Sequence, residues 1–214
     1  MARIEGSTGN LQEVDTNTLA ARVTLRPMKV LAWNRLAAQT GALTGIVAGG
    51  RIFSVRNTSS NLIVVRQIGV GFMTTTAFTT AQALDFSLNI ARSFTVSDTV
   101  GTDVSPTVNV GKLRTSFATP NVAARISATV VVSGGTLVQD AFAVGTVAGG
   151  STGLATGIAL SPDNMIGPAA DGQPIVLAAN EGITITNSTL MGAAGVIKVY
   201  ISIGYLEIAP ADYA

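Results

Sequence analysis

Apolar side chains recur at every second position through several stretches of this chain, the period of a strand with one face turned to a core. Residues 84–90 are the clearest case: Leu84, Phe86, Leu88 and Ile90 alternate with Asp85, Ser87 and Asn89. Near the C-terminus, Ile197, Val199, Ile201, Ile203 and Tyr205 alternate with Lys198, Tyr200, Ser202 and Gly204. Ile126, Ala128, Val130 and Val132 repeat the pattern against Arg125, Ser127 and Thr129. Residues 62–72 place Leu62, Val64, Ile68, Val70 and Phe72 on one face, with Arg66 interrupting it. The strand-like run 51–56 precedes them, and Asn57-Thr58-Ser59-Ser60-Asn61 between the two runs is the composition of a hairpin turn.

Helical periodicity is weak. Residues 30–39 suit a short helix and 80–84 a single turn, but Thr, Val and Ile dominate elsewhere and favour strands. The expected fold is therefore all-β, an antiparallel β-sandwich of jelly-roll-like kind formed by residues 31–214. Two segments fall outside the alternation. Residues 1–30 hold Gly6, Gly9, Asn10, Asn17 and Pro27 around one strand-like piece at 19–25, and read as an extended N-terminal arm. Residues 133–172 carry nine glycines and two prolines and read as a long Gly-rich loop suited to contacts between copies.

Composition narrows the function. The 214 residues contain no Cys and no His, which removes disulfides, thiolate chemistry and the usual general base and metal ligand. An enzyme is not expected, nor is a cofactor. Charged residues are 12% against about 25% in an average domain. Mean hydropathy is +0.46. Such a surface fits a chain that buries much of itself against neighbours.

Charge is also unevenly placed. Residues 1–125 carry twelve of the thirteen basic residues against six acids, while 126–214 carry one against six. Arginines outnumber lysines ten to three, and arginine is the cation enriched at interfaces. The candidate partner-binding residues are Arg3, Arg22, Arg26, Arg51, Arg56 and Arg66. Residues 193–210 form the most apolar stretch, but Lys198, Glu207 and strict alternation mark a strand rather than a membrane span. The N-terminus lacks the apolar segment of a secretory signal.

Specific chemistries find little support. Gly149-Gly150-Ser151-Thr152-Gly153 lacks the Lys-Ser/Thr of a phosphate-binding loop, and Gly111-Lys112 is followed by Leu113. Asp85 and Glu181 are the best carboxylate pair for sugar hydrolysis, although Asn180-Glu181-Gly182 reads as a tight turn whose glycine supplies a positive φ. Arg51, Arg56 and Arg66 beside Phe53 and Phe72 make only a thin nucleic-acid signal, since both Phe fit core positions. The Asn57 and Asn187 sequons mean little without a secretory signal.

Several blocks do carry a likeness. TTAFTTAQALDFSLNIARSFTVSD (75–98), LRTSFAT (113–119) and IVLAANEGITITNSTLMGAAGVIKVYISIGY (175–205) resemble a group of bacteriophage and prophage virion proteins in which similar blocks recur in the same order. EVDTNTLAARVTLRP (13–27) looks like the arm such proteins carry. The resemblance covers most of the chain from residue 13 and implies a β-sandwich virion component with no catalytic residues. The expected role is a capsid decoration (cement) protein, a homo-oligomer and by preference a trimer, that binds the major capsid protein or other virion proteins. It is expected on the phage head, assembled in the host cytoplasm, without nucleic-acid or membrane contact. A neck, tail or fibre subunit is the alternative. So is a carbohydrate- or receptor-binding module, for which Trp33, Tyr200 and Tyr205 are the aromatics on offer.

Overall fold

A computed structural model describes the backbone of residues 3–5, 11–14, 21–22 and 137–149, and residues 30–94, 100–107, 111–127 and 174–213 with their side chains, save that of residue 93. Among the described residues the chain is all-β apart from one 3₁₀ turn, Pro210–Asp212. Three short strands near the N-terminus, β1 (Arg3–Glu5), β2 (Leu11–Val14) and β3 (Ala21–Arg22), pair antiparallel with one another. The remaining described strands form two antiparallel sheets.

One sheet is built from β4 (Val30–Gln39), β6 (Leu62–Thr76), β11 (Ile175–Leu177) and β13 (Val196–Ile208), in the order β11-β6-β13-β4. The other contains β5 (Arg51–Asn57), β7 (Gln82–Phe94), β8 (Thr102–Asp103), β9 (Val122–Ile126), β10 (Leu137–Gly149) and β12 (Gly182–Asn187), in the order β10-β7-β12-β5-β9-β8. Their inner faces share one apolar core, with Ile68, Val70, Ile201 and Ile203 from the first sheet meeting Phe53, Leu84, Leu88 and Ile183 from the second. The expected sandwich is therefore present. Its alternating inner positions in β7 and β13 are those anticipated from the sequence. Of the run from Ile126 to Val132, only Ile126 and Ser127 lie in the described residues, and Ile126 is buried.

Six local expectations need correction. The turn at 57–61 does not close a hairpin, because the strands it joins, β5 and β6, lie in different sheets. Residues 30–39 are not a helix. They form the edge strand β4, paired with β13 from Val30↔Ile208 to Gln39↔Tyr200. Its core face is Ala32, Asn34 and Leu36, and the buried Asn34 hid the alternation. Asn34 Nδ2 donates to the Tyr205 hydroxyl at 3.2 Å, so tertiary pairing overrides the helix preference of Ala, Leu and Arg. The helical turn expected at 80–84 is likewise a bend leading into β7.

The single face expected along 62–72 breaks at Arg66. The register with β13 passes from Gly204↔Gln67 to Tyr205↔Val65, leaving Arg66 as an unpaired bulge residue. One extra residue flips the alternation. Ile63 and Val65 thus join Ile68, Val70 and Phe72 in the core, while Val64 packs with Leu206 and Ile208 in a smaller cluster.

The Gly-rich loop expected at 133–172 contains a strand. Residues 137–149 are β10, paired along β7 from Leu137↔Phe94 to Gly149↔Gln82, and register shifts at Val138/Gln139 and Ala141/Ala143 disguise its period. The rest of that segment, 150–172, lies outside the described residues, as do 133–136.

At Asn180-Glu181-Gly182, the positive φ belongs to Asn180, at 60°. Gly182 serves a different purpose. A Cβ there would run into the Val55 carbonyl oxygen and lie 2.9 Å from Phe94. Gly182→Ala is expected to lower stability by about 2 kcal/mol through forced overpacking, read as an earlier urea midpoint.

Tyr205 makes a second measurable expectation. Its phenol is 1% exposed, and burial pushes its pKa above the ordinary value. A raised phenol pKa means the folded state holds its proton more tightly than the unfolded chain. The stability it supplies is complete below about pH 10 and falls as pH rises further. Melting temperatures between neutral pH and pH 11 should decline more steeply for the wild type than for Tyr205→Phe.

Candidate functional site

The connections β4–β5, β5–β6, β6–β7, β11–β12 and β12–β13 each cross from one sheet of the sandwich to the other, so their loops gather at its two ends. At one end lie the loop 58–61, which passes from one sheet to the other, the turn 178–181 and the approach to β9. Glu207, 2% exposed, anchors this end. Its Oε1 accepts from Ser59 Oγ at 3.2 Å, Asn61 Nδ2 at 2.7 Å and Asn121 Nδ2 at 3.2 Å, and its Oε2 from the Asn121 N–H at 3.0 Å. Asn57 completes the cluster by donating to the carbonyls of Asn61 and Leu177 at 2.7 and 3.1 Å. These donors hold the carboxylate as a structural acceptor. The sequence showed Glu207 only as a charge in an apolar run.

The carboxylate pair singled out for hydrolysis does not converge. Asp85 lies on β7 near Ser188, whose N–H donates to the Asp85 carbonyl at 2.7 Å. Glu181 sits at the opposite end of β12, where Gly182 pairs with Ala91. Seven strand positions separate them, roughly 23 Å. Glycosidase pairs lie about 5–9.5 Å apart. Glu181 Oε2 instead accepts from the Ala178 N–H at 2.8 Å within its own turn, and Oε1 stands 3.9 Å from Arg92.

Other sequence signals also have structural explanations. Gly111 presses against β4, where its carbonyl accepts from the Arg35 N–H at 2.8 Å and a Cβ would strike the Arg35 carbonyl. Both sequon asparagines, Asn57 and Asn187, are fully buried, and their Nδ2 groups are committed to backbone carbonyls. Of the phosphate-loop glycines, 150–153 lie outside the described residues. Among the described residues no three acidic side chains come together as a metal site, and no helix is long and apolar enough to cross a membrane.

The six arginines chosen as partner contacts do not share one surface in so far as they are described. The side chains of Arg3, Arg22 and Arg26 lie outside the described residues. Arg51 opens β5 with its Nε buried and lacking a hydrogen-bond partner, and burial lowers its pKa from the ordinary value. Arg56, at the far end of that strand, donates to Asn180 Oδ1 at 3.3 Å and lies 5.8 Å from the centre of the Phe94 ring. Arg66 is exposed at the bulge of the other sheet.

Two surfaces escaped the sequence reading. The outer face of the four-stranded sheet carries an open groove of about 550 Å³. Gly69 and Gly71 form part of its floor, and Arg35, Gln39, Tyr200 and Ser202 line it. Arg35 Nε donates to Ser202 Oγ at 3.1 Å, which orients the guanidinium along the sheet. Tyr200 is 38% exposed, and Trp33, 44% exposed, stands further along the same face of β4. Alternate glycines opposite the buried Ile68 and Val70 were the available signal. The second surface is the sandwich end opposite Glu207, formed by the loops 40–50, 77–81 and 188–195. Hydrogen bonds join two of these loops: the Met191 N–H donates to the Ile46 carbonyl at 2.9 Å, and Thr44 Oγ1 to the Ala193 carbonyl at 2.7 Å.

Comparison with protein families, with curated proteins and with solved structures finds no match for this chain.

Proposed function

We propose that this chain is a non-enzymatic structural subunit of a bacteriophage particle, seated on the head as a decoration protein that binds major capsid subunits. The observation that carries the reading is a β-sandwich whose chain is only 12% charged and has neither His nor Cys, joined to the sequence blocks that resemble phage virion proteins. A sandwich of this kind offers two flat outer faces and two loop-bearing ends for repeated contacts. Arg66, exposed on an outer face, and the arm arginines Arg3, Arg22 and Arg26 are the proposed contacts to an acidic coat surface.

Quantifying the chain in purified particles, with imaging to locate it, tests the proposal. A copy number comparable to that of the capsid subunits and a position on the shell are expected. A few copies at the neck or tail would move the seat within the virion, and absence from particles would end the reading. Deleting residues 1–27 should abolish attachment while the sandwich still unfolds cooperatively; undiminished attachment would remove the arm from the mechanism.

The groove favours a second reading, a carbohydrate-binding face. An exposed Tyr200 beside Arg35, Gln39 and Ser202 over a glycine floor offers a stacking platform with polar neighbours. Tyr205 is withdrawn from that role by its burial. A glycan array should show binding that Tyr200→Ala abolishes, and a blank array removes this reading.

A further inference from the structure

Loops 40–50, 77–81 and 188–195 close one end of the sandwich, and none of their residues is charged. Every exposed side chain among them is Ala, Val, Leu, Ser or Thr. Val47 is 54% exposed and Leu190 67%, the two most exposed large hydrophobic residues described. In the strands that these loops join, the nearest described charges are Arg51, Asp85 and Lys198. This is the arrangement of an interface: an apolar centre with its charges set back toward a rim.

The end is also preorganised. Asn187 donates from Nδ2 to the carbonyls of Ile46, Val47 and Thr189, fixing the loop that displays Val47 to the one that displays Leu190. The Gly49 N–H donates to the Asn187 carbonyl at 2.7 Å, and the Gly192 N–H to Gln82 Oε1 at 3.1 Å. Phe78 from the third loop packs against Gly195, where a Cβ would collide with its ring. Little loop ordering is left for a partner to impose, which removes that part of the entropic opposition to association.

The kind of partner follows from the chemistry. Around a rotation axis each residue approaches its own copy, so a charge of either sign repels itself there. A charge-free end avoids that repulsion. Its polar groups are hydroxyls (Thr44, Thr79, Thr80, Ser188, Thr189), and each can both donate and accept, so like can pair with like. An anionic membrane would call for basic residues, and an unlike partner places no such demand for self-complementarity.

We propose that this end of the sandwich is the surface through which the chain binds a second copy of itself about a symmetry axis, with Val47 and Leu190 at its centre. The inference goes beyond the virion reading and does not depend on it. It assigns the contact between copies to these loops rather than to the Gly-rich segment at 133–172.

Two measurements on the full chain test it. By sedimentation or light scattering the wild type should have at least twice the 21.7 kDa mass of one chain, and Val47→Asp with Leu190→Asp should reduce it to a single chain. Both side chains are exposed, so the circular dichroism spectrum should be retained. The chain has no Cys, so one introduced thiol can form a disulfide only between copies. Leu190→Cys should link into covalent pairs on mild oxidation. Leu113→Cys, 53% exposed on the segment beside Trp33, should not. A monomeric wild type, an oligomer whose mass survives the double substitution, or equal cross-linking at both positions would overturn the proposal.

Discussion

Replacing Glu207 by alanine should lower the unfolding free energy by about 3 kcal/mol, because it removes at once the buried acceptor of four hydrogen bonds, whose donors lie on half-buried Ser59 and Asn61 and on exposed Asn121. The carboxylate receives four hydrogen bonds, from the side chains of Ser59, Asn61 and Asn121 and from the Asn121 backbone. None of these donors is a cation, so the loss is one of hydrogen-bond acceptance rather than of an ion pair. The loop between β5 and β6 and the entry to β9 both lose their tie to β13. Glu207→Gln separates the contributions. Its carbonyl can keep the three bonds made to Oε1, but its amide nitrogen then faces the Asn121 N–H, donor against donor. About 1–2 kcal/mol should be lost. Urea unfolding of the three proteins should rank them wild type, Gln, Ala; a glutamine variant as stable as the wild type would show that Oε2 contributes nothing.

The second large effect belongs to Phe86. Its ring stacks on Phe72 with centroids 4.5 Å apart and planes 21° from parallel, and both are buried. Phe72 lies on β6 and Phe86 on β7, so this pair bridges the two sheets through the middle of the core. Phe86→Ala should destabilise by about 4 kcal/mol, the transfer loss of a ring plus the cavity left between sheets that cannot fully collapse. Tyr200→Ala, on the outer face, is the fitting control and should stay within about 0.5 kcal/mol of the wild type. A drop of similar size at both positions would mean that the outer face is packed against something in solution.

What was legible in the sequence depended on whether a strand kept its period unbroken. β7 and β13 do so over their inner faces, and both their existence and their buried positions could be read directly. β6 could be located but not correctly faced, because the bulge at Arg66 reverses inside and outside partway along. β10 was mistaken for loop, its period interrupted by two register shifts in a segment flanked by glycines. In β4 one buried polar residue was enough to conceal the pattern. Asn34 is tolerated in the core because Tyr205, 171 positions away, supplies a partner. No local window contains that information.

The candidate surfaces divide in the same way. The absence of charge from 40–50, 77–81 and 188–195 was visible in each segment, yet each alone is an ordinary loop of small residues. Only the alternation of consecutive strands between sheets brings the three to one end, and only then does Val47 stand near Leu190. Similarly, Arg35 and Ser202 meet across 167 positions, because β4 pairs with β13 in one register and no other. The sequence by itself determined an all-β chain without His or Cys, with apolar faces at period two, since residue type and alternation are local properties. Tertiary structure decided which faces, loops and arginines became neighbours. Strand pairing and bulges are selected by burial summed over the whole core, and that sum exists only once distant segments have come together.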